Sequence, residues 1–253
     1  MMDSSLRLVF AFVVLLAAPS CAGNLYRKLY QDNLHGRTLA GEGLLASSGP
    51  VQVIAGGDRR NDDARMLESG HRMVGLVFFD GVDQGAPEIE EVAREVGAAV
   101  AISYKRPCDS SRSALRAQRH AHRTPVSHTR PRGPRCDELG ATFWAMSVQA
   151  PSVGAFIQDR VPTEAGEEEA GAGLRVIAVV RASPADICGV RQGDTLTRVA
   201  GRKVDSAAGY LSEVNAALGK TIEFEIRRDG AARTVTCEVG SRPETLVGVP
   251  PDR

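Results

Sequence analysis

Few residues of this chain stand at spacings that chemistry requires. Ser47-Ser48-Gly49 comes nearest to a nucleophilic serine in a Gly-rich turn, but it lacks the G-x-S-x-G frame, and no H-E-x-x-H occurs in the 253 residues. Gly56-Gly57 falls between an apolar run and a helical pattern, where phosphate loops sit. Both the G-x-G-x-x-G and the G-x-x-x-x-G-K-[ST] patterns are absent, so a plain turn is the simpler reading. Asp62, Asp63, Glu68 and His71 read as a solvated helix face rather than a metal site, because no metal-ligand spacing recurs. Glu88, Glu90 and Glu91 follow Pro87 in the first turn of a helix, where acids stabilise the positive end of the dipole. Cys108 and Cys136 lie in a segment without apolar pattern, so disulfide pairing or free thiols fit better than nucleophiles. The expectation is a protein with no catalytic residues, no metal and no cofactor. The alternative is a hydrolase with an unrecognised amino-terminal catalytic domain.

Cys21 is the one residue whose position suggests a modification. A polar start with one Arg is followed by the apolar run Leu8–Ala18, then Pro19-Ser20-Cys21-Ala22-Gly23. That order describes a secretory signal over residues 1–21. The run is shorter than the ~20 apolar residues a membrane span needs. Leu16-Ala17-Ala18-Pro19-Ser20-Cys21 resembles a bacterial lipoprotein signal, although Ala18 stands where such signals usually carry Leu. Acylation of Cys21 is favoured, and ordinary cleavage near Ser20-Cys21-Ala22 is the other reading. Both place the chain in the cell envelope on the periplasmic side, an oxidising compartment.

The carboxy-terminal part carries linked motifs. Ala182-Ser183-Pro184-Ala185 starts a short helix with Ser183 as cap and Pro184 at its first position. Gly189-Val190-Arg191-Gln192-Gly193-Asp194 ends it, and Val199-Ala200-Gly201-Arg202-Lys203-Val204 holds a turn. A helix is expected over 207–218. Strands 221–228 and 233–239 alternate with period two about the hairpin turn Asp229-Gly230. Taken together, residues 150–240 resemble a PDZ domain of the bacterial Do-like, high-temperature-requirement protease type. The resemblance implies a small β-barrel-like fold with two helices and an open strand edge that takes an extended peptide or a protein carboxyl terminus. It places the carboxylate on backbone N–H groups of the loop Ser152-Val153-Gly154-Ala155, with the peptide alongside Ala155, Phe156 and Ile157. The last side chain of the peptide would enter a pocket near Tyr210, Leu211 and Val214. A groove that has lost its function is the alternative, since a fold outlives its site.

The remaining elements position these. Val51–Ile54, Met73–Phe79 and Ala98–Ile102 read as strands, and Asp62–Ser69 and Pro87–Val96 as helices. Strand-helix-strand-helix-strand implies crossovers and a parallel or mixed sheet, an α/β domain over 24–104. Asp137-Glu138-Leu139-Gly140-Ala141-Thr142-Phe143-Trp144-Ala145 resembles the last strand of the amino-terminal domain in PDZ-bearing exported bacterial proteins of unknown function. On that resemblance, strand 139–147 completes the first domain. Residues 105–136 hold nine Lys or Arg against Asp109 alone, with His120, His122 and His128 among them. This composition cannot bury a core and is expected to be a disordered insertion. A basic arm on anionic lipid and a weak His metal site are the other readings of it. Residues 241–253 read as a flexible tail.

Whole-chain charge narrows the partners. Lys plus Arg and Asp plus Glu are 31 each, which argues against nucleic acid. Aromatics are 5%, too few for base-stacking platforms. The expected class is α+β with an α/β first part, two domains, acting as an exported, lipid-anchored adaptor. Its partners are proteins or peptides, and the membrane through its anchor.

Overall fold

The computed structural model describes residues 23–107, 137–159 and 173–241. In chain order the first part holds α1 (Leu25–Lys28), β1 (Gln31–Asp32), a 3-10 turn (Ala40–Glu42), β2 (Leu44–Leu45), β3 (Gln52–Ala55) and α2 (Arg59–Glu68). Then follow β4 (His71–Gly81), α3 (Ala86–Glu95), β5 (Val100–Pro107) and β6 (Asp137–Ser147). The first sheet runs β1-β4-β6-β5-β3, with β2 on the end of β6. Strands β3 and β5 are parallel, and β6 is antiparallel to both β4 and β5. Crossovers through α2 and α3 therefore set β3, β4 and β5 in one direction, and β6 returns between β4 and β5.

Both faces of this sheet are covered, which is why its strands read as unbroken apolar runs. On one face Val77, Ala101, Ala141, Phe143 and Ala145 pack with Tyr26 of α1 and with Ile89, Val92 and Ala93 of α3. On the other, Met73, Val100, Ile102, Tyr104 and Trp144 pack with Ala64, Met66 and Leu67 of α2. Gly140 is required on that second face, because any Cβ there would enter the Phe78 ring. The Trp144 indole N–H donates to Thr142 Oγ1 at 2.9 Å, which satisfies its one polar group inside the core.

Helix α2 begins three residues before the sequence suggests. Asp58 caps it by accepting from the Asn61 N–H at 3.0 Å, a start signal stronger than the later apolar positions. The edge of the basic insertion also moves. Lys105, Arg106 and Pro107 belong to β5 and pair with Leu139, Glu138 and Asp137. Lys105 Nζ lies 3.2 Å from Asp83 and 3.3 Å from Asp137, so carboxylates across the sheet hold these basic residues in a strand. The rest of the insertion, with Cys108, Cys136 and the three His, lies outside the described residues, as do residues 1–22 and 242–253.

The second part contains β7 (Ala155–Gln158), β8 (Leu174–Val179), α4 (Pro184–Ile187), β9 (Thr195–Val199) and β10 (Arg202–Lys203). It closes with α5 (Ala207–Ala216), β11 (Thr221–Arg228) and β12 (Ala231–Glu238). Its sheet runs β12-β11-β9-β8-β7, with β10 on β9. Asp229 and Gly230 both take positive φ, 51° and 79°, the backbone of a tight turn that matches strand twist. Val153, Leu174, Val176, Val199, Tyr210, Val214, Phe224 and Ile226 form the core. A disulfide joins Cys188, after α4, to Cys237 of β12. Asp194 is 1% exposed and takes two hydrogen bonds from Arg228, at 2.7 and 2.8 Å, and one from the Arg191 N–H at 2.8 Å. Arg228 also donates to the Gly189 carbonyl at 2.7 Å, so one ion pair holds the turn 189–194 against β11.

The two sheets share a hydrophobic cluster. Ala178 of β8 is fully buried among the α2-side residues of the first sheet, with Phe156 and Ile177 at the rim. The Arg181 N–H donates to the Glu68 carbonyl at the end of α2, at 3.0 Å.

Candidate functional site

Strand β7 is the edge of its sheet. It pairs with β8 on one side, and among the described residues no strand pairs with the other. An edge of this kind is a template for a further strand.

The loop leading into β7 has an unusual orientation. The Ser152 carbonyl accepts from the Gly240 N–H at 2.7 Å, that of Val153 from Ala185 at 2.9 Å, and that of Gly154 from Val180 at 2.8 Å. Three successive carbonyls thus face the body of the module. In a trans peptide the N–H points opposite to the carbonyl of the same plane. The N–H groups of Val153, Gly154 and Ala155 accordingly face away from those carbonyls' partners. Gly154 makes this turn with φ +81°, and a Cβ there would lie 2.5 Å from Ser183 Cβ.

Helix α5 forms the opposite wall. Ser206 caps it through the Gly209 N–H at 3.2 Å. Asp159, just past β7, accepts from the Ala207 N–H at 2.7 Å and so ties the end of the strand to the start of the helix. Between them Ala155, Ile157 and Leu211 are half-buried at the margin of the core.

Burial separates the residues expected around the groove. Tyr210 and Val214 are 1% and 0% exposed, so they support the groove from the core instead of lining it. Only Leu211 of the three presents surface, because one stripe of a helix packs inward and its neighbour faces the strand. Phe156 points to the opposite face of β7, against the cluster shared with the first sheet, as period-two alternation demands. Ser152 is buried with its hydroxyl among core atoms. Asp159 was not singled out by its sequence; an acid following a strand carries no distinctive pattern. Cys21 lies outside the described residues.

The polar residues of the first sheet have structural partners. Asp62 accepts from the Gly57 N–H at 2.8 Å and also from Arg65, which makes the Gly56-Gly57 turn a helix-entry device. Ser69 Oγ stands 2.9 Å from His71 Nδ1 and donates to the Met66 carbonyl at 2.8 Å. Which of the two donates across that contact is set by the imidazole tautomer. Burial pushes the His71 pKa below the usual imidazole range. Among the described residues no three His, Cys, Asp or Glu gather as a metal site, and no helix is long and apolar enough to cross a membrane.

A five-stranded antiparallel path with an open edge strand and a helix beside it makes up this second part. Residues 151–239 match the PDZ domain family, and this part of the chain is a PDZ domain. A pro-apoptotic serine protease of Vanderwaltozyma polyspora, NMA111, is 36% identical over 75 residues, which are 30% of this chain. The chain spans only 7% of the length of that curated relative. Among solved structures, the chain is similar to an HtrA-type protease, AlgW, with a decapeptide, at 20% identity and a TM-score of 0.33 over 41% of this chain and 38% of that one. It is also similar to the HtrA3 PDZ domain bound to a phage-derived ligand, at 23% identity and a TM-score of 0.30, over 34% of this chain and 81% of that one.

Proposed function

We propose that the protein is an adaptor that captures carboxyl termini of other proteins in the groove between β7 and α5. The observation that carries this is the open edge of β7 beside α5, in a segment that matches the PDZ family and is entered through the loop Ser152 to Ala155. Charge-assisted hydrogen bonds there would hold the carboxylate. Burial of the last apolar side chain against Ile157 and Leu211 would add about 1.5–3 kcal/mol. Ordering the peptide offsets much of this, so affinity should be micromolar, roughly −7 to −8 kcal/mol. Titration of labelled peptides with apolar carboxyl termini into the full chain tests it. Amidation of the terminus and Leu211→Lys should each weaken binding more than tenfold while the thermal transition stays in place. A folded protein that binds no member of a carboxy-terminal peptide library would refute the proposal.

The proposal includes binding without catalysis, export and a lipid anchor at Cys21. For the first, the missing G-x-S-x-G and H-E-x-x-H frames are the support, and the matched relative is a protease whose length lies mostly outside the match. The apolar run ending at Cys21 supports the others. A fatty-acid probe fed to expressing bacteria should label the wild type and not Cys21→Ser; equal labelling of both would remove the anchor.

A further inference from the structure

The loop Ser152 to Ala155 is held by elements far apart in the chain. The Val153 carbonyl accepts from the Ala185 N–H in α4, and the Ser152 carbonyl from the Gly240 N–H beyond β12. Contact is close at both anchors. A Cβ on Gly154 would lie 2.5 Å from the Cβ of Ser183, the cap of α4, and a Cβ on Gly240 would lie 3.0 Å from Ser152 Cα. A third anchor, the Val180 N–H on the Gly154 carbonyl, comes from the end of β8. Cys188 follows Ala185 by three residues, and Cys237 precedes Gly240 by three. Their disulfide therefore ties two of the three anchoring elements to each other.

Helix α4 has four residues, too few to keep its place by its own hydrogen bonds. Besides the disulfide, it is held by the burial of Ala185 in the core and by Arg228, which donates to the Gly189 carbonyl. Those ties survive reduction, so breaking the bond should loosen the loop and leave the module folded. Cys237 is fully buried and Cys188 only half. A dithiol therefore attacks at the Cys188 sulfur. Cys237 leaves as a thiolate, and the second thiol of the reductant then releases Cys188. Two electrons and two protons pass to the two cysteines, and the dithiol becomes a disulfide.

Resting on the peptide-binding reading above, we propose that the Cys188–Cys237 disulfide positions the loop Ser152 to Ala155, so that the oxidation state of this pair sets the affinity for peptide. A closed bond keeps both anchors in register and limits local opening of the loop. An open pair lets the loop sample arrangements that cannot hold a ligand. The coupling is reciprocal: bound peptide makes the disulfide harder to reduce by the same factor.

The test titrates a labelled peptide with a free, apolar carboxyl terminus into the full chain, oxidised and then in excess dithiothreitol. Affinity should fall about tenfold or more on reduction, with the far-UV signal unchanged. Cys188→Ala with Cys237→Ala should bind as the reduced wild type does and should not respond to the dithiol. Cys188→Ala with Cys237→Val, which refills more of the buried space, serves if that variant does not fold. Hydrogen exchange at the Ala185 and Gly240 amides should quicken about tenfold in the reduced wild type. The Ala200 amide, bonded to Glu223 away from the loop, should stay as it was. Equal affinity in the two states of a folded protein overturns the positioning role alone. Loss of the whole far-UV signal on reduction overturns it too, since the bond would then staple the entire module. Failure of the peptide to bind in either state overturns it together with the groove.

Discussion

Asp194→Ala should lower the stability of the protein by about 3–5 kcal/mol, the usual cost of leaving one member of a buried ion pair alone. Arg228 would keep its charge in a site that is mostly closed to water, having lost the carboxylate that takes two of its hydrogen bonds. The Arg191 N–H would lose its acceptor as well, and the turn 189–194 would come away from β11. Denaturant melts of the full chain, followed by far-UV signal, measure this. Asp194→Ala with Arg228→Met should recover much of the loss, since the uncompensated charge is gone. Equal midpoints for wild type and Asp194→Ala would show that the pair contributes nothing.

Gly154→Val should abolish peptide binding. The residue needs φ +81°, which a β-branched side chain resists, and its Cβ would meet Ser183 Cβ at 2.5 Å and Pro151 Cγ at 3.0 Å. Relief of that contact requires rotation of the loop, and rotation turns the N–H groups of Val153 to Ala155 away from the carboxylate position. Binding to a carboxy-terminal peptide should fall more than a hundredfold, a larger loss than for Leu211→Lys. An amidated peptide should lose little more on this variant, because the carboxylate contact is already absent. Retained discrimination between free and amidated termini in Gly154→Val would place carboxylate capture elsewhere.

What the sequence disclosed was mostly local. The hairpin around Asp229-Gly230 and the Ser183-Pro184 helix start are legible because turn and cap chemistry acts over three or four residues. The loop Ser152 to Ala155 was legible through its likeness to a family pattern. The strand 139–147 was expected to complete the first part, but its place between β4 and β5 follows from pairing that no periodicity encodes. Asp194 and Arg228 are far apart in the chain and nothing nearby marks them as partners. Phe156 shows the limit most clearly. Alternation says that it faces opposite to Ala155, but only the packed structure shows that this face belongs to the first sheet. Likewise Lys105 to Pro107 look like part of a charged insertion until Asp137 and Glu138 are seen across from them.

The central place of β6 governs how the first sheet is made. Strands β4 and β5 run side by side in direction yet do not touch; each is joined to the sheet through β6. A nascent chain that has reached Pro107 therefore carries two inner strand edges, along Met73 to Phe79 and Val100 to Tyr104, both rich in apolar side chains and neither paired. Such edges are templates for pairing with other chains until β6 lies between them. Because closing a longer loop costs only about 0.6 kcal/mol per doubling, the length of the segment between β5 and β6 weighs little on final stability. The inner edges of β4 and β5 are both closed by the same strand, the last of the sheet in chain order.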